Sequence, residues 1–317
     1  MLFRRFLLSA VLVIPFFVFG AQQASALALE PALSDISVSP GTAHDAAIML
    51  TNDEPDTATY YLSIQKFVAR GEEGQQEFLP MSDTTGLPSW IFVNQPSLTL
   101  QPGEKQRVPF TIRVPEQAIP GGYYVALFFS SVPPVLSPQG MVVVGSKVGA
   151  LLLVTVEGGS VSSWRVVDHA LGMPSSVSHL PAAFDLTIEN RGNVHVVPEG
   201  TITIKNMFGS IVARLPLQRN QPRVLPSSRR HLLLTWQKEK PNNAQGFFGR
   251  VHEEWNNFAI GPYTAYLETA NKEVTENIEW RFSVWPWRLL ICLLIGLFAF
   301  LIVMSLYRRW VLRRVIA

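Results

Sequence analysis

The run Val114-Pro115-Glu116-Gln117-Ala118-Ile119-Pro120-Gly121-Gly122-Tyr123-Tyr124-Val125-Ala126-Leu127-Phe128-Phe129-Ser130-Ser131 holds the clearest structural instruction in the chain. Pro115 and Pro120 restrict φ and lack an N–H, so they punctuate strand pairing. Gly121-Gly122 permits backbone geometry closed to residues with a Cβ. The stretch from Tyr123 to Phe129 is apolar on both sides, the pattern of an inner strand of a packed sandwich.

Strand-like runs with turn signals between them extend outward on both sides. Upstream lie Ile36–Ser39 ending in Pro40-Gly41, Ala46–Thr51, the alternating Ala58–Val68, the Trp90-Ile91-Phe92 patch, and Val108–Val114 after Pro102-Gly103-Glu104. Downstream, a proline-rich loop precedes Met141–Val156, interrupted at Gly145 and Gly149. Val161–Val167, Ala183–Glu189, Thr201–Lys205, Ile211–Leu217, His231–Trp236, Tyr263–Glu268 and Ile278–Val284 then read as seven more strands, with Asn190-Arg191-Gly192-Asn193 as a turn. This spacing predicts an all-β chain of two immunoglobulin-like β-sandwich domains, 27–158 and 159–284.

Leu289–Leu306 is a run of eighteen uncharged residues, long enough to cross most of a bilayer core of about 30 Å. Trp285, Trp287, Tyr307 and Trp310 flank it, and Arg308, Arg309, Arg313 and Arg314 come immediately after. Interfacial aromatics and adjacent positive charge predict a transmembrane helix over 285–307 with a basic cytoplasmic tail, 308–317. At the other end, Arg4-Arg5, the apolar run Phe6–Gly20 and Ala24-Ser25-Ala26 have the layout of a signal peptide over 1–26, cleaved or retained as an anchor. Residues 27–284 are therefore expected outside the cytoplasm, and the lipid bilayer is one expected partner.

The formal net charge of +2 misleads about this outer portion. Seven arginines lie outside 27–284, which leaves that stretch at −5. Nucleic acid is excluded as a partner, since phosphate binding requires a positive face. The single cysteine, Cys292, sits within the apolar run, so no disulfide joins the sandwiches. With no N-x-[ST] acceptor, this points to a bacterial envelope protein.

Ser39-Pro40-Gly41, the Trp90 patch, Gln101-Pro102-Gly103-Glu104, the Pro120-Gly121-Gly122-Tyr123-Tyr124 motif and Gly149–Gly158 occur in one order. Together they resemble the bacterial WxL-interacting protein family, specifically its N-terminal peptidoglycan-binding-type domain. The resemblance covers most of 30–158; residues 160–284 carry none of the family's motifs. It implies a non-catalytic cell-surface protein that engages cell-wall glycan (peptidoglycan) or a surface protein partner. The alternative is an extracytoplasmic chaperone-like assembly factor acting by strand addition.

Two groups of side chains are candidate contacts. Arg214, Arg219, Arg223, Arg229 and Arg230 form a run with no intervening acid, suited to anionic headgroups or wall polymers, or to a solvated hairpin edge. Phe247, Phe248 and Trp255 lie in Lys240–Gly261, the longest stretch without clear alternation, and read as an aromatic loop. No catalytic, cofactor or metal site is expected. There is no G-x-S-x-G or H-E-x-x-H. Ser63-Ile64-Gln65-Lys66 sits in a strand where its first and last residues face opposite sides. Asn52–Asp56 lacks the ordered ligand spacing of a calcium loop.

Overall fold

The computed structural model describes residues 27–133, 147–220, 222–239, 246–269 and 278–315. The proposed signal segment and Met141–Ser146 lie outside them. The first half holds β1 (Leu27–Glu30), β2 (Leu33–Val38), β3 (Ala43–Asn52), β4 (Ala58–Arg70), β5 (Gln75–Phe78), α1 (Leu87–Trp90), β6 (Ile91–Val93), β7 (Ser97–Leu100), β8 (Lys105–Arg113), β9 (Gly121–Ser130) and β10 (Lys147–Val156). The second half holds β11 (Trp164–Leu171), β12 (Ser176–Val177), β13 (Ala182–Asn190), β14 (Thr201–Asn206), β15 (Ile211–Pro216), a 3-10 turn (Leu217–Asn220), β16 (Arg229–Trp236), α2 (Gly246–Asn256), β17 (Gly261–Glu268), β18 (Glu279–Val284) and α3 (Trp287–Val315).

These strands form four sheets that stack in pairs around two separate cores, as β-sandwiches. The N-terminal sandwich faces β1-β3-β8-β6 against β2-β10-β9-β4-β5, with β7 also on β4. Its core joins Leu50, Tyr60, Leu100, Ile112, Leu127, Phe129 and Leu152 from both sheets. The C-terminal sandwich faces β11-β13-β16 against β12-β18-β17-β14-β15. Its core centres on Phe184, Leu186, Ile188, Ile204, Ala265, Trp280 and Phe282. As its two-sided apolar pattern predicts, β9 is an inner strand, paired to β10 on one side and β4 on the other.

Each sandwich closes the end of its second long strand with a buried asparagine. Asn52 at the end of β3 donates to the carbonyls of Asp56 (2.9 Å) and Leu100 (3.1 Å) and accepts from Tyr60 (2.8 Å). Asn190 at the end of β13 donates to Val194 and Val224 (both 2.7 Å) and accepts from Gly192 N–H (2.8 Å). Buried amides of this kind persist only when their groups are paired, so each one fixes its turn against a second segment.

The Lys240–Gly261 stretch is not simply an aromatic loop: residues 246–256 form α2. Phe247, Val251 and Trp255 recur at helical spacing there, and the run was too short and too interrupted by polar residues for its period to stand out. α3 is long and apolar enough to cross a membrane, and its most apolar window is unburied by protein.

The candidate functional site: an unpaired strand edge

β16 ends its sheet with one side open. On one side it pairs with β13, from Ala182 opposite Trp236 to Glu189 opposite Arg229. On the other side no strand pairs with it among the described residues. Only its beginning is engaged: His231 N–H donates to the Glu72 carbonyl at 2.7 Å, from the β4–β5 turn of the other sandwich. In an antiparallel strand a residue directs its N–H and C=O to the same side, and its neighbours to the other. Leu233 and Thr235 therefore share the outward direction of His231.

Beside this edge runs a groove of about 470 Å³, lined by Leu215, Leu217, Leu232 and Leu234 together with the polar Arg230, His231, Thr235 and Gln237. Leu233 is 58% exposed. An unpaired ladder next to a groove of mixed leucine and polar lining is an arrangement into which an extended chain can add as a strand.

The arginine run is divided by the fold. Arg214 is on β15, next to the groove-lining Leu215. Arg219 lies in the 3-10 turn. The other three gather at the junction of the sandwiches. Arg223 meets Asp35 at 3.4 Å, and Arg229 meets Glu189 at 3.2 Å. Arg230 donates to the Arg223 carbonyl at 3.1 Å, and burial lowers its pKa. Gly74, beside its guanidinium, has φ +77°, a backbone conformation that favours glycine. The same arginine lines a second cleft of about 280 Å³ between the sandwiches, with Phe67, Leu153 and Leu225. Glu189 also holds Arg165 at 2.8 Å, and that hydrogen bond, with those of Arg229 and Arg191, keeps its carboxyl below the usual range.

The glycine-tyrosine motif serves this junction. Gly122 N–H donates to the Asn193 carbonyl at 2.8 Å, and Asn193 Nδ2 donates to the Pro120 carbonyl at 3.2 Å. A Cβ on Gly122 would strike the Tyr124 hydroxyl, and one on Gly121 would crowd the Asn193 carbonyl. Tyr123 donates to the Ile119 carbonyl at 2.8 Å. Tyr124 packs on the junction cluster of Phe67, Ala126, Leu153 and Leu225, where burial raises its pKa.

Phe247, Phe248 and Trp255 sit on α2 and do not line either cleft. Lys66 of the S-x-x-K pattern is tied to Asp83 (2.8 Å) and Thr85 (2.6 Å). Among the described residues no group of three acidic, histidine or cysteine side chains is placed to hold a metal. Sequence reasoning missed Asn52, Asn190, Asn193 and the β16 edge. The recurrence of asparagine at the end of an apolar strand, Leu50-Thr51-Asn52 and Ile188-Glu189-Asn190, was the one signal available for the first two.

No protein-family model and no curated protein matches the chain. Solved structures do show likeness. The class 5 fimbriae chaperone CfaA is 11% identical, with 81% of this chain and 98% of that one covered and a TM-score of 0.38. The E. coli chaperone DraB is 11% identical, with 82% and 97% covered and a TM-score of 0.33. A PapD-like domain of human CEP192 is 16% identical over 49% of this chain and 99% of that one, with a TM-score of 0.30. At this level of likeness neither partner nor activity carries over, and function has to be argued from the geometry of this chain.

Proposed function

We propose that this is a non-catalytic, membrane-anchored protein with two immunoglobulin-like domains outside the cytoplasm. It binds a partner protein by accepting an extended segment as a strand beside β16. The observation that carries this reading is the unpaired edge at Leu233 and Thr235 alongside the groove between it and Leu215–Leu217. α3 supplies the anchor, with Arg308 and Arg309 at its cytoplasmic end.

The N-terminal sandwich supplies a template for the occupant. There β6, Ile91-Phe92-Val93, pairs with the edge of β8, Ile91 opposite Ile112 and Val93 opposite Phe110. The corresponding place beside β16 would take a short strand of the same alternation. Two outward residues offer four backbone hydrogen bonds at about 1 kcal/mol net each, too little alone for stable capture. Side chains entering the groove, at about 1.5–3 kcal/mol for each large apolar residue buried, must supply the rest and the specificity.

The test uses the full chain in lipid nanodiscs and a fluorescein-labelled peptide with the sequence of residues 89–95. Saturable binding is expected, and Thr235→Pro, which removes one outward donor, should weaken it roughly tenfold while leaving the fold intact, since edge strands tolerate proline. Absent binding, or binding indifferent to Thr235→Pro, sinks the reading. Retention on purified wall sacculi that survives Thr235→Pro would instead favour the glycan partner implied by the sequence resemblance.

A further inference from the structure

Several chain segments of the C-terminal sandwich reach the same end of it. The β14–β15 tip, Met207-Phe208-Gly209, comes after Asn206, which pairs with Tyr263 near the start of β17. Gly261 opens β17 opposite Val284, the last residue of β18. A Cβ on Gly261 would lie 3.0 Å from the Met207 Cε, so the tip rests on this corner. Trp285 is the next residue along the chain, and α3 begins at Trp287.

α2 is fastened to the same place. Glu254 is completely buried, and its carboxylate accepts from Arg288 Nη1 at 2.8 Å and from the Leu289 N–H at 2.9 Å. That N–H belongs to the first turn of α3, whose donors have no partner within the helix and which favours a negative charge. Arg288 in turn lies over the Trp287 ring at 4.2 Å. α2 is thus locked to the start of α3 by a charge-assisted pair.

Large apolar side chains stand exposed around this exit point. Phe208 is 80% exposed, Phe248 81% and Trp255 70%, with Met207, Phe258 and Trp285 between 42% and 54%. On α2 the residues Phe247, Phe248, Val251 and Trp255 fall within an arc of about 100°, a single apolar face. Isolated exposed apolar residues are ordinary, but a ring of aromatics around the departure of an uncharged helix is not. We infer that this ring is a second membrane contact. Phe208, Phe248 and Trp255 lie in the boundary between headgroups and acyl chains, and the C-terminal sandwich sits directly on the bilayer. The occupant is lipid because the ring is continuous with α3, and the exposed Arg250 on α2 suits an anionic headgroup layer. The Glu254–Arg288 lock fixes the attitude of the sandwich, and with it the direction in which β16 faces.

This inference rests on the reading of α3 as a membrane span, and the experiment separates the two. The full chain carrying Cys292→Ser is reconstituted in phosphatidylcholine–phosphatidylglycerol nanodiscs, with a single cysteine label at Phe208→Cys or Phe248→Cys. Ile119→Cys, at a residue 76% exposed on the N-terminal sandwich, reports water, and Leu297→Cys reports the bilayer interior. Labels at 208 and 248 should be quenched by lipids bearing a shallow nitroxide. Their access to iodide should be roughly threefold lower than at 119, as expected for rings about 5–10 Å into the interface. If 297 is protected but 208 and 248 match 119, the ring is overturned and the span stands. If 297 is itself open to iodide, both fall.

Discussion

The two sandwiches share a frame and differ at one edge, and the difference locates the proposed site. Both end their second long strand on a buried asparagine tied to a turn and to the segment that leads toward the next paired strand. In the N-terminal sandwich the chain then spares three residues, Ile91–Val93, to cover the edge of β8. In the C-terminal sandwich no described segment takes that place beside β16, and the stretch just before β16 is held at the junction instead. Leu225 enters the junction cluster, Arg223 reaches Asp35, and Val224 bridges to Val196.

The largest expected effect tests the shared part of the frame. Asn190→Ala strands the Val194 carbonyl, at about 1–3 kcal/mol for a buried group left unpaired, while the Val224 carbonyl keeps the Val196 N–H and the Gly192 N–H keeps the Ser163 carbonyl. A loss of about 2 kcal/mol is expected in urea unfolding, confined to the C-terminal sandwich, whereas Asn52→Ala should weaken the N-terminal one by a similar amount. If either variant unfolds both sandwiches together, the junction couples them more tightly than their separate cores suggest.

A second measurement tests the difference. By native-state hydrogen exchange the outward amides of Leu233 and Thr235 should exchange about 100-fold faster than those of Leu232 and Leu234, which face β13. Phe110 to Ile112 of β8, with strands on both sides, should show no such alternation. Equal protection along β16 would mean that the edge is covered.

The smallest effect concerns charge at the junction. Arg165 first, then Arg229 and Arg191, hold the Glu189 carboxyl below its ordinary value of 4.5. A depressed folded value means that this contribution is complete above the unfolded value and is lost as pH falls through the folded one. Glu189→Gln should therefore cost stability at pH 7, by at most about 1 kcal/mol for a solvent-accessible cluster, and match the parent near pH 2. A penalty that persists at low pH would assign Glu189 a packing role instead.

Most of the strand order was legible because alternation and turn residues are local properties. The β4, β9, β13 and β17 runs were identifiable within one or two residues at most boundaries, whereas short edge strands such as β5 and β7 left too little pattern. Reading α2 as a loop failed for a different reason: its buried face carries Glu254, a polar residue whose burial makes sense only beside Arg288. The asparagines looked like ordinary turn residues because sequence cannot show which second segment closes over them.

By itself the amino-acid sequence determined the β class, the apolar C-terminal helix with its aromatic and basic flanks, and the negative balance of residues 27–284. All three come from composition and short-range period. Only the tertiary structure decided that β16 lies at a sheet edge beside a groove, which arginines are held in ion pairs and where the exposed aromatics converge. Those depend on contacts between residues tens to hundreds of positions apart, such as Asp35 with Arg223 and Glu254 with Arg288, whose pairing no local pattern records.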